Sequence, residues 1–226
     1  EQDIHNHYVT TLLDEIASAG ALPSKSGPKA EMDTAFGVSV NAALPASTFQ
    51  QHFFLLHLLQ PAIALYSLPV TIKMANYYLP SIVRSALQLL VRQHAVVRTL
   101  YQMMHTGTGG TVQVIVPADG FVVPLHLCNN EQDWPAQSAQ NLTKPFALTK
   151  TPPIRAVLSS LEAQQVTRLL IVVDHVATDY ASTFLISREI ALACDALHRG
   201  ISPNLTCPEL QYADFSLWQQ QHSTDN

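Results

Sequence analysis

The period of the hydrophobic pattern changes several times along the chain, and each change predicts a new element. Apolar and polar residues alternate at positions 70–74 and 111–116, which is typical of strands with one buried face. The predominantly apolar segments 154–158 and 169–173 predict two further strands.

Apolar residues at helical spacing predict helices in the remaining sequence. The segments concerned are residues 49–59, a helix that begins at Pro80, residues 181–197 and residues 212–221. Pro80 suits a first helical turn, because its missing amide hydrogen would have no partner there. Strands mixed with helices of these lengths predict an α/β (α+β) two-layer sandwich, in which a mixed sheet is flanked by helices.

Residues 1–43 differ in character and are predicted to form an appendage to a folded unit at residues 44–226. Residues 8–19 carry apolar side chains on one face and predict a short amphipathic helix. Residues 23–29 are rich in Pro, Ser, Lys and Gly and predict a linker. The appendage is either a docking helix, the tail of an upstream domain or disordered chain. The first residue is Glu1, as expected for a piece of a larger protein.

Composition narrows the class of protein. Of 226 residues, 47% are hydrophobic and 13% are charged, so the chain can bury a substantial core. A net charge of −5 without a Lys/Arg cluster argues against a nucleic-acid surface. No apolar run is long enough to span a bilayer. Three cysteines without Cys-x-x-Cys spacing favour neither a disulfide framework nor a zinc site, and they fit a reducing cytoplasm.

Candidate chemistry lies at residues 174–180, directly after an apolar run. His175 stands four residues before Asp179, in a loop between a predicted strand and a predicted helix, where folds tend to display reactive side chains. An imidazole can accept and return a proton near neutral pH. His-x-x-x-Asp alone is a weak pattern, and a structural histidine is the alternative. Four other histidines show no metal-ligand spacing: His52, His57, His105 and His126.

Four other stretches lie in order around this motif. Residues 45–51 read Pro-Ala-Ser-Thr-Phe-Gln-Gln, and residues 92–99 read Arg-Gln-His-Ala-Val-Val-Arg-Thr. Residues 144–156 contain Lys-Pro-Phe-Ala-Leu and Pro-Pro-Ile-Arg-Ala, and residues 211–219 read Gln-Tyr-Ala-Asp-Phe-Ser-Leu-Trp-Gln. Over residues 44–221, the set resembles the N-terminal lobe of a nonribosomal peptide synthetase condensation domain. Such domains belong to the chloramphenicol acetyltransferase-like superfamily, whose motif is His-His-x-x-x-Asp-Gly.

The resemblance implies a two-lobed enzyme whose site lies in a tunnel between the lobes, and the chain ends where the second lobe is expected to begin. It implies that an acceptor α-amine attacks a donor thioester, both held on phosphopantetheine arms of carrier proteins. The implied partners are donor and acceptor carrier proteins, the C-terminal lobe and adjacent synthetase modules, with no nucleic acid and no membrane. The lobe itself is expected to bind no cofactor and, in isolation, to fold or dimerise without condensation activity.

The resemblance also implies a role for each motif residue. His175 is the catalytic candidate, either as general base or as the hydrogen-bond partner that positions the amine. Asp179 is expected to form a buried ion pair with Arg155 that fixes the loop, so Asp179→Ala is expected to lower solubility or stability. Arg98 and His94 are expected to have structural roles near the sheet.

Three of the departures from the family pattern bear on activity: Asp174 replaces the first His, Tyr180 replaces Gly, and Ala147 replaces the Asp of Pro-Phe-Asp-Leu. An acid beside His175 can raise the basicity of the imidazole. Tyr180 either crowds the tunnel or supplies a hydroxyl to an unusual substrate. A degenerate, non-catalytic module that binds carrier proteins or another enzyme is therefore the competing hypothesis. A stand-alone acyltransferase that uses a small thioester, such as an acyl-coenzyme A, is a third, and the Tyr-x-Asp-Phe-x-x-Trp-Gln ending argues against it.

Overall fold

The computed structural model describes residues 43–104, 110–206 and 208–222. The predicted helix at 8–19 and the predicted linker at 23–29 lie outside these residues. The described part contains seven strands and five α-helices. In chain order they are β1 (Ala43–Pro45), α1 (Thr48–Leu59), β2 (Ser67–Met74), α2 (Pro80–Gln93), β3 (Thr99–Met104), β4 (Gly110–Ile115), β5 (Leu125–Leu127), α3 (Asp133–Thr143), β6 (Ile154–Leu161), β7 (Val166–Asp174), α4 (Tyr180–His198) and α5 (Tyr212–His222).

The larger sheet has four strands in the order β2-β7-β6-β5. Strand β7 is antiparallel to both neighbours, with Asp174 opposite Ser67 of β2 and Val173 opposite Ile154 of β6. Strand β5 runs parallel to β6. Most residues of β6 and β7 are buried on both sides of the strand, which indicates that both faces of the sheet are covered. Asp174 is the last residue of β7, and its carboxylate lies inside the core.

The smaller sheet has three antiparallel strands in the order β1-β4-β3. Helix α1 contacts β4, and helix α5 contacts β1. Leu100, Val114 and Val116 form a small apolar cluster beside this sheet. Helices from both ends of the folded unit therefore meet at the smaller sheet.

The main core lies between the larger sheet and its helices. Helix α2 packs against α4, α4 contacts β2, and α3 contacts β6. Leu90 of α2, Ile190 of α4 and Ile171 of β7 are all fully buried in this core. The helical spacing of apolar residues in α2 and α4 produces these buried faces.

Local sequence signals fix where two of the helices begin. At the start of α1, the Gln50 N–H donates to Ser47 Oγ at 3.2 Å, and the Ser47 N–H donates to Gln50 Oε1 at 3.0 Å. This reciprocal pair is a capping box, which satisfies two amides that the helix leaves free. Helix α2 begins at Pro80, as predicted.

The predicted α/β class is confirmed, and every predicted strand and helix within the described residues is present, with small shifts of its ends. The strands divide between two sheets rather than forming one mixed sheet. The elements β1, β3, β5 and α3 were not predicted. Helix α3 is rich in Gln, Asn and Ser and has no fully buried residue, so it lacks an apolar stripe. Within the described residues, no helix is long and apolar enough to cross a membrane.

Candidate active site

Backbone hydrogen bonds hold the turn that follows β7. The His175 N–H donates to the Tyr66 carbonyl at 2.8 Å, which ties the turn to the residue before β2. The Ala177 N–H donates to the Asp174 carbonyl at 3.0 Å. Helix α4 begins at Tyr180, so only a short segment separates the buried strand from the helix. The backbone of His175 is therefore fixed on both sides.

The His175 ring packs against two aromatic residues of α1. It stacks on the Phe53 ring, with centroids 4.6 Å apart and planes at 20°. The Phe49 ring meets it edge-on, with a centroid distance of 5.5 Å. The side chain of His175 is half-buried, and its Nδ1 is buried without a hydrogen-bond partner. An imidazole in this setting is oriented mainly by stacking rather than by a hydrogen bond to a neighbouring acid.

Asp174, next to the candidate histidine, points into the core and is 0% exposed. Its Oδ1 accepts a hydrogen bond from the Val176 N–H at 3.0 Å, which closes the turn around His175. Its Oδ2 lies 2.8 Å from Nε2 of His57 on α1, at ion-pair distance but without the alignment of a hydrogen bond. His57 is itself buried, with 7% exposure. Nothing in the spacing of the histidines indicated this contact.

Asp179 is exposed and caps helix α4. Its Oδ1 accepts hydrogen bonds from the Ser182 N–H at 2.8 Å and from the Ser182 hydroxyl at 2.6 Å. The expectation that Asp179 is a buried carboxylate is therefore wrong. The residue lies where the helix emerges from the turn, and its side chain satisfies an amide of the first helical turn.

Arg155 is buried, but its partners are not the predicted one. Its Nε donates to the Asn141 carbonyl at 2.8 Å, and its Nη2 donates to the Lys144 carbonyl. The guanidinium carbon lies 3.8 Å from the centre of the Phe146 ring. The predicted ion pair with Asp179 is wrong, because Arg155 instead caps the C-terminal end of α3, where the carbonyls carry partial negative charge.

Electrostatics also connect Arg155 with the motif. Burial lowers the pKa of Arg155 to about 10, and the carboxylate of Asp174 opposes this shift. The carboxylate that affects the pKa of Arg155 is therefore that of the buried Asp174 rather than that of the exposed Asp179.

Tyr180 is the first residue of α4 and is 76% exposed. Its ring meets that of Phe184 edge-on, with centroids 5.1 Å apart. Among the described residues, Gln165 is the only non-glycine residue with a positive φ, so Tyr180 adopts an ordinary backbone conformation. Replacement of the family's Gly by Tyr thus places a large ring at the surface without backbone strain.

Arg98 and His94 join elements behind the site. Arg98 donates from Nε to the Val91 carbonyl at 3.0 Å and from Nη1 to the Val116 carbonyl. His94 follows α2, and its Nε2 lies 2.7 Å from the carboxylate of Glu189 on α4. Both residues therefore contact neighbouring segments of the core rather than the His175 ring.

A buried polar network also contacts the turn. The amide nitrogen of Gln50 donates to the Tyr101 hydroxyl at 3.1 Å and to Gln113 Oε1 at 3.3 Å. The Tyr101 hydroxyl donates to the Val176 carbonyl at 3.5 Å. Burial raises the pKa of Tyr101 well above its usual range, so this hydroxyl stays a donor. Gln50 belongs to the motif stretch at residues 45–51, but nothing in the sequence indicated Tyr101.

Two clefts lie away from His175. One, of about 580 Å³, lies between α3 and the edge of the larger sheet, where Phe146 and Arg155 line it. A second, of about 540 Å³, lies between α2 and the end of α4. In the described part of the chain, no group of three or more His, Cys, Asp or Glu side chains could hold a metal ion. His175 lines neither of these two clefts.

Residues 40–226 match the family model described as "Condensation domain". The chain belongs to the condensation domain family. The match covers the motif at 174–180 together with the strand and helix that hold it.

Curated relatives of this condensation domain are large synthases. The chain is 28% identical over 179 residues to the dimodular nonribosomal peptide synthase of Bacillus subtilis (strain 168), covering 79% of this chain and 7% of that protein. It is 30% identical over 177 residues to surfactin synthase subunit 2 of the same strain, covering 78% of this chain and 5% of that protein. The chain therefore spans a small fraction of these relatives.

Solved structures show the same fold. The starter condensation domain of rhizomide synthetase RzmA superposes with a TM-score of 0.68 at 16% identity, covering 80% of this chain and 44% of that one. The X-domain from teicoplanin biosynthesis superposes with a TM-score of 0.68 at 24% identity, covering 90% of this chain and 41% of that one. The chain spans less than half of each solved structure, as expected for the N-terminal lobe that the sequence predicts.

Proposed function

We propose that this chain supplies the donor-side half of a condensation site and that His175 is its catalytic residue. The complete domain joins an acyl group held as a carrier-protein thioester to the α-amine of a second carrier-bound substrate. The observation that supports this proposal is the fixed, half-buried position of His175 at the end of β7, in a chain of this family.

The chemistry requires an unprotonated amine near a thioester carbonyl. The amine nitrogen forms the new C–N bond, the C–S bond breaks, and the released thiol stays on the donor carrier while the amine loses a proton. His175 accepts this proton and passes it to the leaving sulfur, or holds the amine by a hydrogen bond so that its lone pair faces the carbonyl. Positioned acid–base catalysis contributes roughly 10²–10⁴-fold. Holding the two substrates in line adds to this.

The partners follow from this reaction. They are the donor and acceptor carrier proteins, with their phosphopantetheine arms, the C-terminal lobe and the neighbouring modules, and the cytoplasm is the expected compartment. The lobe supplies no cofactor of its own to the reaction. Because the chain spans less than half of the solved domains that share its fold, a second lobe is needed to enclose the substrates, and the isolated chain is expected to be inactive as an acyltransferase.

The test is single-turnover product formation, followed by intact-protein mass spectrometry, in the complete two-lobed domain with loaded donor and acceptor carriers. His175→Ala is expected to reduce product formation by roughly 10²-fold or more, with both carriers still loaded. His126→Ala is the matched control, since His126 is exposed on β5 and outside the site.

Equal product from wild type and His175→Ala would overturn the proposal. It would favour the non-catalytic module, in which the fold serves only to bind carriers or another enzyme. Loss of product in both histidine variants would point to a general loss of folding, which a melting curve of each variant detects.

A further inference from the structure

Three residues of α1, spaced four apart, face the turn that carries His175. Phe49 and Phe53 contact the His175 ring, and His57 contacts Asp174. Residues at this spacing lie on one face of a helix. A single helix face therefore contacts both the candidate catalytic ring and the residue before it.

The two oxygens of the buried Asp174 carboxylate contact different partners. Oδ1 accepts the Val176 N–H at 3.0 Å, and Oδ2 lies 2.8 Å from His57 Nε2. Other titratable groups around it are Arg155 and Tyr101, which sense its charge but form no hydrogen bond or ion pair with it. A carboxylate withdrawn from water needs a close partner, and His57 is that partner.

We propose that His57 is a positioning residue for the reaction. His57 contacts Oδ2 of Asp174 and so fixes the carboxylate. Oδ1 of the same carboxylate accepts the Val176 N–H and so fixes the turn. The turn in its place holds the His175 ring against Phe53. His57 and Phe53 are on the same helix. One rigid element therefore positions the His175 ring and also carries the Phe53 ring on which it stacks. The catalytic part of this inference rests on the function proposed for His175.

The effect on rate follows from geometry. A displacement of about 1 Å at a reacting group can reduce a rate by roughly 10²-fold. Loss of the His57 contact frees the Asp174 carboxylate to rotate, and the turn then loses its bond from Val176. A contact that served only to stabilise the fold would lower the melting temperature without moving the His175 ring in the folded state.

The first readout is independent of activity. In the complete domain labelled with ¹³C at histidine Cε1, His175 is assigned from the signal lost in His175→Ala. Its Cε1 proton is expected to be shifted upfield by the stacked Phe53 ring, and Phe53→Leu removes that shift. His57→Leu is expected to move the His175 signal toward the Phe53→Leu position. Asp174→Asn keeps the size of the side chain and the acceptor for Val176, and is expected to have a smaller effect in the same direction.

The second readout is rescue. His57→Gln keeps a side-chain N–H donor on α1 and leaves the Asp174 carboxylate in place to accept the Val176 N–H. It is expected to keep the His175 signal near its wild-type position and to recover the single-turnover product lost in His57→Leu, a loss that we expect to be roughly 10- to 100-fold. A folded His57→Gln variant that behaves no better than His57→Leu would overturn the inference.

Two results separate this inference from the function on which it rests. If His175→Ala forms product at the wild-type rate, the proposed function fails, while the position of the His175 signal still tests the role of His57. If His175→Ala is inactive but a folded His57→Leu variant keeps both the wild-type signal and rate, the positioning role alone is wrong. Should His57→Leu not fold, Asp174→Asn gives the same comparison.

Discussion

The imidazole of His175 and the ring of Phe53 lie face to face, with centroids 4.6 Å apart and planes inclined by 20°. Phe53 is itself held by Tyr66, whose ring meets it edge-on at 5.2 Å. Tyr66 also accepts the His175 N–H through its carbonyl. Backbone and side-chain contacts thus hold His175 in one orientation.

Phe53→Leu is expected to slow the transfer while leaving the domain folded. Aromatic pairs contribute roughly 0.5–1.5 kcal/mol beyond apolar burial, and about 1.4 kcal/mol corresponds to tenfold in rate. We therefore expect a fall of up to roughly tenfold in the single-turnover rate with loaded carriers. Phe184→Leu is the matched control, since Phe184 is 61% exposed and contacts Tyr180 rather than His175. A similar fall in both variants would count against orientation by Phe53.

Asp179→Ala is expected to destabilise the protein only moderately. The exchange removes the cap of α4, and the loss of such a cap typically costs about 1 kcal/mol. A buried ion pair broken on one side would cost about 3–5 kcal/mol instead. Urea unfolding of the wild type, Asp179→Ala and Asp179→Ser separates the two. Since Ser can also cap a helix, Asp179→Ser should recover most of the loss, and a large loss in both would contradict the capping role.

Arg155→Ala is expected to cost more than a surface arginine. The exchange leaves the Asn141 and Lys144 carbonyls without the buried donor that they have now. Hydrogen bonds to charged groups contribute roughly 1.5–3 kcal/mol. Arg92→Ala is the control: Arg92 pairs with Asp119 in the open, and such pairs contribute about 0–1 kcal/mol. Equal losses in the two unfolding experiments would rule out the proposed role of Arg155.

Stability is expected to fall at alkaline pH, in part because of Cys194. This thiol is fully buried, and burial raises its pKa from 9.0 to about 12. The unfolded thiol ionises above pH 9.0 and the folded one does not, so the full stability is present below pH 9.0 and is lost as the pH rises toward about 12. The slope from one such group is about 1.4 kcal/mol per pH unit.

The measurement is urea unfolding at about pH 8 and about pH 10.5 for the wild type and Cys194→Ala. The variant should lose part of the pH dependence. Fully buried Tyr101 and half-buried Tyr212, whose pKa values burial also raises, keep the remainder. Cys128→Ala is the comparison at a half-buried thiol. If the stability of Cys194→Ala depends on pH as steeply as that of the wild type, the pKa of the thiol does not differ between the folded and unfolded states.

The sequence was most informative where periodicity was strong. The runs that became β6 and β7 and the apolar spacing of α2 and α4 identified the core, because burial on a repeating face leaves a repeating pattern. Short edge strands such as β1 and β5 leave no such pattern. The motif at 174–180 was found because it joins a strand to a helix, and the structure has both.

The side-chain partners were harder to predict, because they depend on rotations that spacing does not encode. Asp179 was expected to be the buried acid of the motif, but the helix begins directly after it and exposes it. Asp174 is the buried acid, since it ends a strand inside the core. Its partner His57 is more than one hundred residues away in sequence and was recognisable only once α1 had been placed beside the turn.

The contacts between α1 and the turn after β7 also bear on recombination between synthetases. Phe49, Phe53 and His57 on one segment are matched to Asp174 and His175 on the other. A chimera whose crossover falls between the two segments would combine an α1 from one parent with a motif from another, and could place two acids or two imidazoles in contact. Crossovers that keep both segments from the same parent preserve the match. Suitable crossover points within this lobe therefore lie outside the stretch from α1 to the turn after β7.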